Sequence, residues 1–115
     1  MDIDDALLAL AALAHGTRLE AFRALVAEEP GGLAAGEVAR RLAVPHNTLS
    51  THLAVLARAG LVRAERRSRS IIYRANPGRA RALAAFLLQD CCGGQPEMCG
   101  PPVAVSSPRR QPTEA

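Results

Sequence analysis

The stretch that decides the fold runs from Val44 to Tyr73 and reads VPHNTLSTHLAVLARAGLVRAERRSRSIIY. Pro45 suits the start of a helix, because a helix does not use the N–H group that proline lacks at that position. Three leucines then recur at i, i+4 and i+7 and give the helix one apolar face: Leu49, Leu53 and Leu56. Gly60 suits the left-handed residue that ends many helices. The stretch therefore predicts an amphipathic helix that begins at Pro45 and stops at Gly60.

The opposite face of this helix, near its start, carries four short polar side chains: His46, Asn47, Ser50 and Thr51. All four can form hydrogen bonds and none is acidic. A polar, uncharged tip on an apolar helix is typical of a helix that reads the major groove of DNA. An ordinary amphipathic surface helix explains the same pattern, so the flanking sequence has to decide between the two.

The segment before this helix favours DNA reading. Residues 33–43 predict a short helix with Val38 and Leu42 turned inward, and only Val44 and Pro45 separate it from the next helix. Two short helices around so tight a turn form a helix-turn-helix.

The segment after the helix predicts a β hairpin. Residues 61–66 and 70–75 alternate as two short strands, joined by the turn Arg67-Ser68-Arg69. The predicted fold class is therefore mainly α with a two-stranded β wing, a winged helix-turn-helix. Three wing arginines are candidates for phosphate or minor-groove contact: Arg66, Arg67 and Arg69.

Charge is distributed unevenly along this chain of 115 residues, whose net charge is only +3. Residues 1–36 hold six acids against two arginines, whereas residues 40–81 hold ten arginines against Glu65 alone. Such a cationic stripe indicates a phosphate-binding surface. The length and the hydrophobic content of 49% indicate one small domain.

The first residues do not predict a targeting segment, because MDIDD is acidic where a secretory signal is basic. The apolar run Ala6–Ala14 is also shorter than the roughly 20 residues that span a bilayer. We therefore expect a cytoplasmic protein without a membrane partner, whose three cysteines are reduced thiols.

Three further helices are predicted outside the central stretch. Residues 3–14 are apolar on nearly every side, so the surplus face is expected to meet a second subunit. Residues 17–29 form a helix with Thr17 as the expected N-cap, and His15 before it is interpreted as a local hydrogen-bonding residue rather than a metal ligand. Asn76 and Pro77 are expected to cap and start a last helix that ends near Gln89.

The order of these elements resembles the ArsR/SmtB family of dimeric bacterial metalloregulatory repressors. The resemblance covers about residues 5–92 and depends on four motifs: HGTRLE at 15–20, NTLSTHLAVL at 47–56, AGLV at 59–62 and RSIIYR at 69–74. It implies a homodimer built from the first and last helices, bound to an imperfect inverted repeat in double-stranded DNA. It also implies that the DNA-reading positions are the four polar residues named above.

The chain departs from the family at its metal sites. Residues 37–41 lack the Cys-x-Cys pair of many members, and residues 79–89 lack the Asp/His pairs of zinc sensors. These absences argue against a zinc, nickel or cobalt sensor. The remaining thiols, Cys91, Cys92 and Cys99, resemble the C-terminal arsenite site of one branch of arsenic-responsive repressors. Ser68 also stands at the wing tip where many members have glycine.

The chemistry of the three cysteines agrees with that branch. Thiolates select soft ions, and three sulfurs without a fourth protein ligand suit trivalent arsenic or antimony, whereas zinc prefers four ligands. Three alternatives stay open: incidental thiols, a redox switch through disulfide formation, and zinc completed by water or by the other subunit.

Three regions and two hypotheses follow. Residues 1–90 are the DNA-binding and dimerisation domain, residues 91–100 the effector-binding segment and residues 101–115 a tail predicted to be disordered. The first hypothesis is a repressor of an arsenic-resistance operon, not an enzyme and without a catalytic cofactor, which trivalent arsenic releases from its operator. Redox, antimonite, methylarsenite or zinc responses are alternatives. The second hypothesis is an arsenic-binding or redox thiol protein without regulatory DNA binding.

Overall fold

The computed structural model describes residues 1–89, so the predicted cysteine segment at 91–100 and the predicted tail at 101–115 lie outside the described residues. This part of the chain folds into five helices and a small antiparallel sheet. In chain order the elements are α1 (Ile3–Leu13), α2 (Gly16–Ala27), β1 (Leu33–Ala34), α3 (Ala35–Leu42), α4 (His46–Arg58), β2 (Val62–Arg67), β3 (Ser70–Ala75) and α5 (Pro77–Leu88). The predicted winged helix-turn-helix class is confirmed.

The turn between α3 and α4 is short and closed by backbone hydrogen bonds. Ala43 adopts the left-handed conformation (φ 57°), and the Val44 N–H donates to the Ala39 carbonyl at 3.1 Å. Pro45 is the N-cap of α4 rather than its first helical residue, which corrects the predicted start. Its backbone is extended, and its carbonyl accepts the N–H of Leu49 at 3.0 Å.

Gly60 ends α4 in the predicted left-handed conformation (φ 77°), and the Leu61 N–H returns to the Leu56 carbonyl at 3.0 Å. Asn76 occupies the predicted N-cap position of α5, but its side chain does not cap that helix. Its amide instead donates to the Gly60 carbonyl at 3.1 Å, which fastens the start of α5 to the end of α4.

The sheet has three strands in the order β1-β3-β2: the predicted two-stranded wing is formed by β2 and β3, and the short strand β1, which was not predicted, pairs with β3. Leu33 pairs with Tyr73 and Ala34 with Ile72, so the predicted helix over 33–43 loses its first two residues to β1. The close approach depends on Gly32 (φ 77°), where an added Cβ would lie only 2.6 Å from the Tyr73 carbonyl oxygen. Pairing with β3 satisfies backbone groups at the start of the predicted helix, and this explains the difference.

The first strand of the wing hairpin is shifted by one residue from the predicted 61–66 and has the same length, Val62–Arg67. Arg67 pairs with Ser70 at the end of the ladder, so the loop contains only Ser68 and Arg69. Ser68 has a φ of 57°, a conformation that glycine adopts without strain and serine does not.

The start of α2 also differs from the prediction. The N-cap is His15, whose Nδ1 accepts the Thr17 N–H at 3.2 Å, and Thr17 itself lies inside the helix. An imidazole nitrogen can accept this bond as a hydroxyl would, so the histidine replaces the expected threonine cap. The interpretation of His15 as a local hydrogen-bonding residue is confirmed.

The core lies between the helix-turn-helix, α2 and the base of the wing. Its largest fully buried side chains are Leu25, Val38, Leu49, Leu53, Leu56 and Leu61. Helix α1 faces this core mainly through three small side chains, Ala6, Ala9 and Ala12, and Leu13 at its end packs half-buried against the core. Its other large side chains point away, and Leu7 and Leu8 remain 57% and 46% exposed.

No helix within residues 1–89 is long and apolar enough to cross a membrane.

Candidate nucleic-acid interface

Helix α4 presents two chemically distinct faces. Leu49, Leu53 and Leu56 are fully buried, as predicted from their spacing. On the other side His46, Asn47 and Thr51 are exposed and Ser50 is half-buried: all four polar candidates lie on the first two turns. The buried leucines therefore fix the rotation of the helix and leave its polar tip in solvent.

Two of these polar side chains already form local bonds. The Thr51 hydroxyl donates to the Asn47 carbonyl at 3.3 Å, and the Asn47 side-chain oxygen accepts the Thr48 N–H at 2.9 Å. In this arrangement Thr51 offers an incoming partner its oxygen lone pairs and its methyl group, and Asn47 offers its amide N–H groups.

The tip of the wing, away from the buried residues at its base, carries exposed arginines. Arg66 and Arg67 end β2, Arg69 lies in the loop, and all three predicted wing residues are exposed. Arg66 and Arg69 form no ion pair with residues 1–89, whereas Arg67 donates to Glu65 at 3.0 Å. Within residues 1–89, the tip of the wing thus presents two unpaired guanidinium groups and one that is shared with a carboxylate.

Several arginines of the predicted cationic stripe serve the fold instead. Arg74 on β3 donates to Glu29 at 2.9 Å and to Glu65 at 3.1 Å, and it is only 20% exposed. The hydrogen bond from Arg74 keeps the pKa of Glu29 below its usual value. This bridge ties the wing to the end of α2, so Arg74 positions the wing and is removed from the predicted phosphate surface.

A second group of arginines lies on α3. Arg40 and Arg41 both donate to Glu37, and together they lower the pKa of Glu37 to about 2. Arg41 also reaches Glu28 at 3.1 Å. The interpretation of ten arginines as one phosphate-binding stripe is therefore too broad. Five of the ten pair with carboxylates away from the tip of the wing: Arg40, Arg41, Arg63, Arg74 and Arg79.

The second predicted site, the three cysteines, cannot be placed relative to helix α4 and the wing. Cys91, Cys92 and Cys99 are outside the described residues. Within the described range, no three His, Cys, Asp or Glu side chains are grouped so that they could hold a metal ion.

Glu65 is the carboxylate closest to the wing arginines, and the sequence analysis predicted no role for it beyond counting its charge. It accepts hydrogen bonds from Arg67 and Arg74, and the bond from Arg67 is the main cause of its lowered pKa.

We expect Glu65→Gln to strengthen binding to any DNA duplex and to steepen the dependence of log K on log salt by up to about 1, because Arg67 becomes free to neutralise a phosphate. Salt titrations of operator and random duplexes measure this.

The matched control for this change is Glu20→Gln, which neutralises an acid on α2 that forms no ion pair within residues 1–89. An equal gain in both variants would mean that net charge, not the release of Arg67, is responsible.

Comparison with known proteins agrees with this geometry. A family described as a helix-turn-helix domain matches residues 13–65. An ArsR-like transcriptional regulator from Rhodococcus sp. RHA1 is 26% identical over 84% of this chain and 88% of its own, with a TM-score of 0.70. The comparison with curated proteins gives no match.

Two further solved structures are similar. One is the homodimeric winged helix-turn-helix DNA-binding domain of Mb0332 from Mycobacterium bovis, a possible ArsR-family regulator, at 29% identity over 75% of this chain and 78% of that chain, with a TM-score of 0.63. The other is a possible transcriptional regulator for arsenical resistance, at 28% identity over 68% and 78%, with a TM-score of 0.60. All three are named as transcriptional regulators or possible regulators, in agreement with the prediction of a regulator rather than an enzyme.

Proposed function

Because the chain belongs to the winged helix-turn-helix proteins and has the fold of ArsR-family transcriptional regulators, we propose that it is a repressor that binds operator DNA as a homodimer. The observation that carries this proposal is the polar, uncharged tip of α4, held outward by three fully buried leucines beside a cationic wing. A major groove accepts a helix of this kind.

In this proposal the two surfaces have different tasks. His46, Asn47, Ser50 and Thr51 read base edges, and Arg66, Arg67 and Arg69 contact phosphates or the minor groove. The exposure of these side chains supports the assignment, and so does the lack of ion pairs at Arg66 and Arg69 within residues 1–89.

The homodimer is proposed to form through α1 and α5. Four large side chains of α1 point away from their own core, Ile3, Leu7, Leu8 and Leu10, and Leu87 and Leu88 do so on α5. The homodimeric state of the Mycobacterium bovis domain supports this arrangement. A two-fold dimer requires an inverted repeat whose half-site centres are about 34–36 Å apart, or a multiple of that distance.

The proposed effector is trivalent arsenic, held by Cys91, Cys92 and Cys99. The donor set fits the ion because three soft thiolates match its preference for three sulfur ligands. Cys91, the first of these thiols, comes two positions after Gln89, the C-cap of the proposed dimer helix α5. Similarity to a possible regulator for arsenical resistance supports the same effector.

One titration tests the proposal against its alternatives. Fluorescence anisotropy of a labelled operator duplex is followed with arsenite, methylarsenite, antimonite, zinc or a thiol oxidant. Binding without effector and release by arsenite are the expected results. Release by the oxidant alone would replace the effector with a redox signal. Arsenite binding without any sequence-specific DNA binding would favour a thiol protein outside gene regulation.

The division of tasks between helix and wing gives a separate prediction. Arg69→Ala should weaken binding to all duplexes and reduce the salt slope by about 1, because it removes one phosphate contact. Ser50→Ala should leave that slope unchanged and reduce the preference for the operator over random DNA by about 1–3 kcal/mol. Both quantities come from the same salt titrations. Loss of specificity in the arginine variant with none in the serine variant would reverse the assignment.

A further inference from the structure

A cluster of polar side chains lies between α4 and the junction of α1 with α2. Arg18, in the first turn of α2, donates from Nε to the Ala12 carbonyl at 2.7 Å, and its Nη1 lies 3.3 Å from Nδ1 of His52 on α4. The ring of His15, the N-cap of α2, has its centroid 4.4 Å from that of His52. We name the pair of contacts made by Arg18 the Arg18–His52 joint.

The joint connects three elements through one side chain. The Ala12 carbonyl belongs to the last turn of α1, where carbonyl groups have no partner within the helix. Arg18 satisfies this carbonyl and holds His52 with the same guanidinium, which is itself only partly exposed. Arg18 therefore links the end of α1 to α4 through two contacts.

His52 lies on α4 beside the polar side chains that are proposed to read bases. It follows the exposed Thr51 and precedes the buried Leu53, so it lies at the border between the polar tip and the core. Its ring is turned towards His15 and Arg18 and is not among the polar side chains proposed to read bases.

We infer that Arg18 and His52 are positioning residues that couple the placement of the dimer helix α1 to the placement of the base-reading side chains on α4. The inference rests on the proposed function, since it assigns a use to the position of α4 on DNA. It adds a path from the dimer interface to the reading helix that involves neither a wing residue nor a cysteine.

The joint requires a neutral His52. A guanidinium only donates, so Nδ1 of His52 has to accept, and the proton of the neutral ring is on Nε2. Burial, followed by the nearby His15 and Arg18, lowers the pKa of His52 below the usual 6.5. These two groups are the charged or titratable ones that face His52 from α2 and its N-cap, and no carboxylate of residues 1–89 is among the groups that shift it. Because the folded-state pKa of His52 lies below 6.5, the joint is complete at pH 6.5 and above and is lost as the pH falls through that lowered pKa.

The test compares two substitutions of His52. His52→Ala removes the acceptor and should weaken specific operator binding about tenfold without changing the salt slope, since no phosphate contact is lost. His52→Asn keeps an acceptor near the position of Nδ1 and cannot titrate. It should bind like the wild type at pH 7.5 and lose less affinity than the wild type at pH 5.5.

A double-mutant cycle adds the second partner. Arg18→Gln and His52→Ala should each cost about the same, and the double variant should cost little more than either one, because both remove a single connection. Arg23→Gln is the matched control, since Arg23 is an exposed arginine on the same helix without an ion pair within residues 1–89. Equal affinity of His52→Ala and wild type overturns the inference. So does a reduced salt slope, which would identify a direct phosphate contact.

A measurement without DNA separates this inference from the proposed function. Nitrogen-15 NMR of the free protein should show His52 as the Nε2–H tautomer, with the guanidinium protons of Arg18 in slow exchange with water, and this slow exchange should be lost in the His52→Ala variant at neutral pH. If the wild type binds no duplex specifically, the proposed function fails while the NMR signature persists. If the wild type binds but the signature is absent, the joint itself is wrong.

Discussion

Replacing any one of Cys91, Cys92 and Cys99 with serine should leave operator binding intact and abolish its release by arsenite. In the wild type, arsenite should weaken operator binding by about 5- to 150-fold, the usual range for coupling between two sites. Each serine variant should reduce this factor to about 1, because a hydroxyl is neither a soft ligand nor deprotonated at neutral pH.

The physical basis is differential binding to two dimer shapes. An effector changes DNA affinity only as far as it prefers one shape over the other. The proposed site begins just beyond α5, whose exposed Leu87 and Leu88 belong to the proposed dimer surface. Closing three thiols on one ion therefore acts next to the interface that sets the distance between the two reading helices.

Operator release at increasing arsenite measures the effect. Met98→Leu is the matched control, since it changes a neighbouring thioether that is not a proposed ligand, and it should respond like the wild type. Zinc at equal concentration should release poorly, and arsenite affinity should fall at low pH as the thiols become protonated. If a serine variant is released from the operator at the same arsenite concentration as the wild type, the cysteine that it lacks is not a ligand of the ion.

Glutamate at Leu7 and Leu8 should convert the dimer to a monomer and weaken operator binding by about 10²- to 10⁴-fold. Both leucines are about half exposed on α1, and two linked reading helices gain affinity because the second half-site is bound at high effective concentration. Charged side chains at the centre of an apolar interface would have to be desolvated without partners.

Sedimentation velocity and anisotropy at matched protein concentrations test this prediction. Leu19→Glu is the control, because Leu19 is 44% exposed but lies on α2, outside the proposed interface. It should remain dimeric and bind the operator normally. A monomeric variant that binds the whole operator with wild-type affinity would contradict the proposed two-fold arrangement.

Local sequence patterns predicted those helices and turns whose conformation depends on residues close together in the sequence. The spacing of Leu49, Leu53 and Leu56 determines which side of α4 is buried, and Gly60 marks its end through its own backbone preference. The strand β1 could not be found in this way. Two residues show no periodicity, and Leu33 and Ala34 are extended because they pair with Tyr73 and Ile72, which are distant in the sequence.

The same distinction applies to the candidate site. The polar tip of α4 was visible because its residues are close together in the sequence. The bridge from Glu29 to Arg74 joins residues 45 positions apart, and the contact from Arg18 to His52 spans 34. Counting arginines along the chain could not show which of them are paired, so the predicted cationic surface was larger than the structure supports.

The alanine face of α1 has a consequence for how the proposed dimer depends on the concentration of the protein in a cell. Methyl groups bury little area, and of the large α1 side chains Leu13 alone packs against the core of its own subunit beside Ala6, Ala9 and Ala12. In the proposed dimer most of the apolar area of α1 is buried by the other copy, and so ordering of this helix and pairing of subunits occur together. Dilution would then loosen α1 and empty the operator in one step, so the concentration of the protein itself would set a threshold for repression. Newly made chains at low copy number would leave the regulated gene active until enough partners had accumulated.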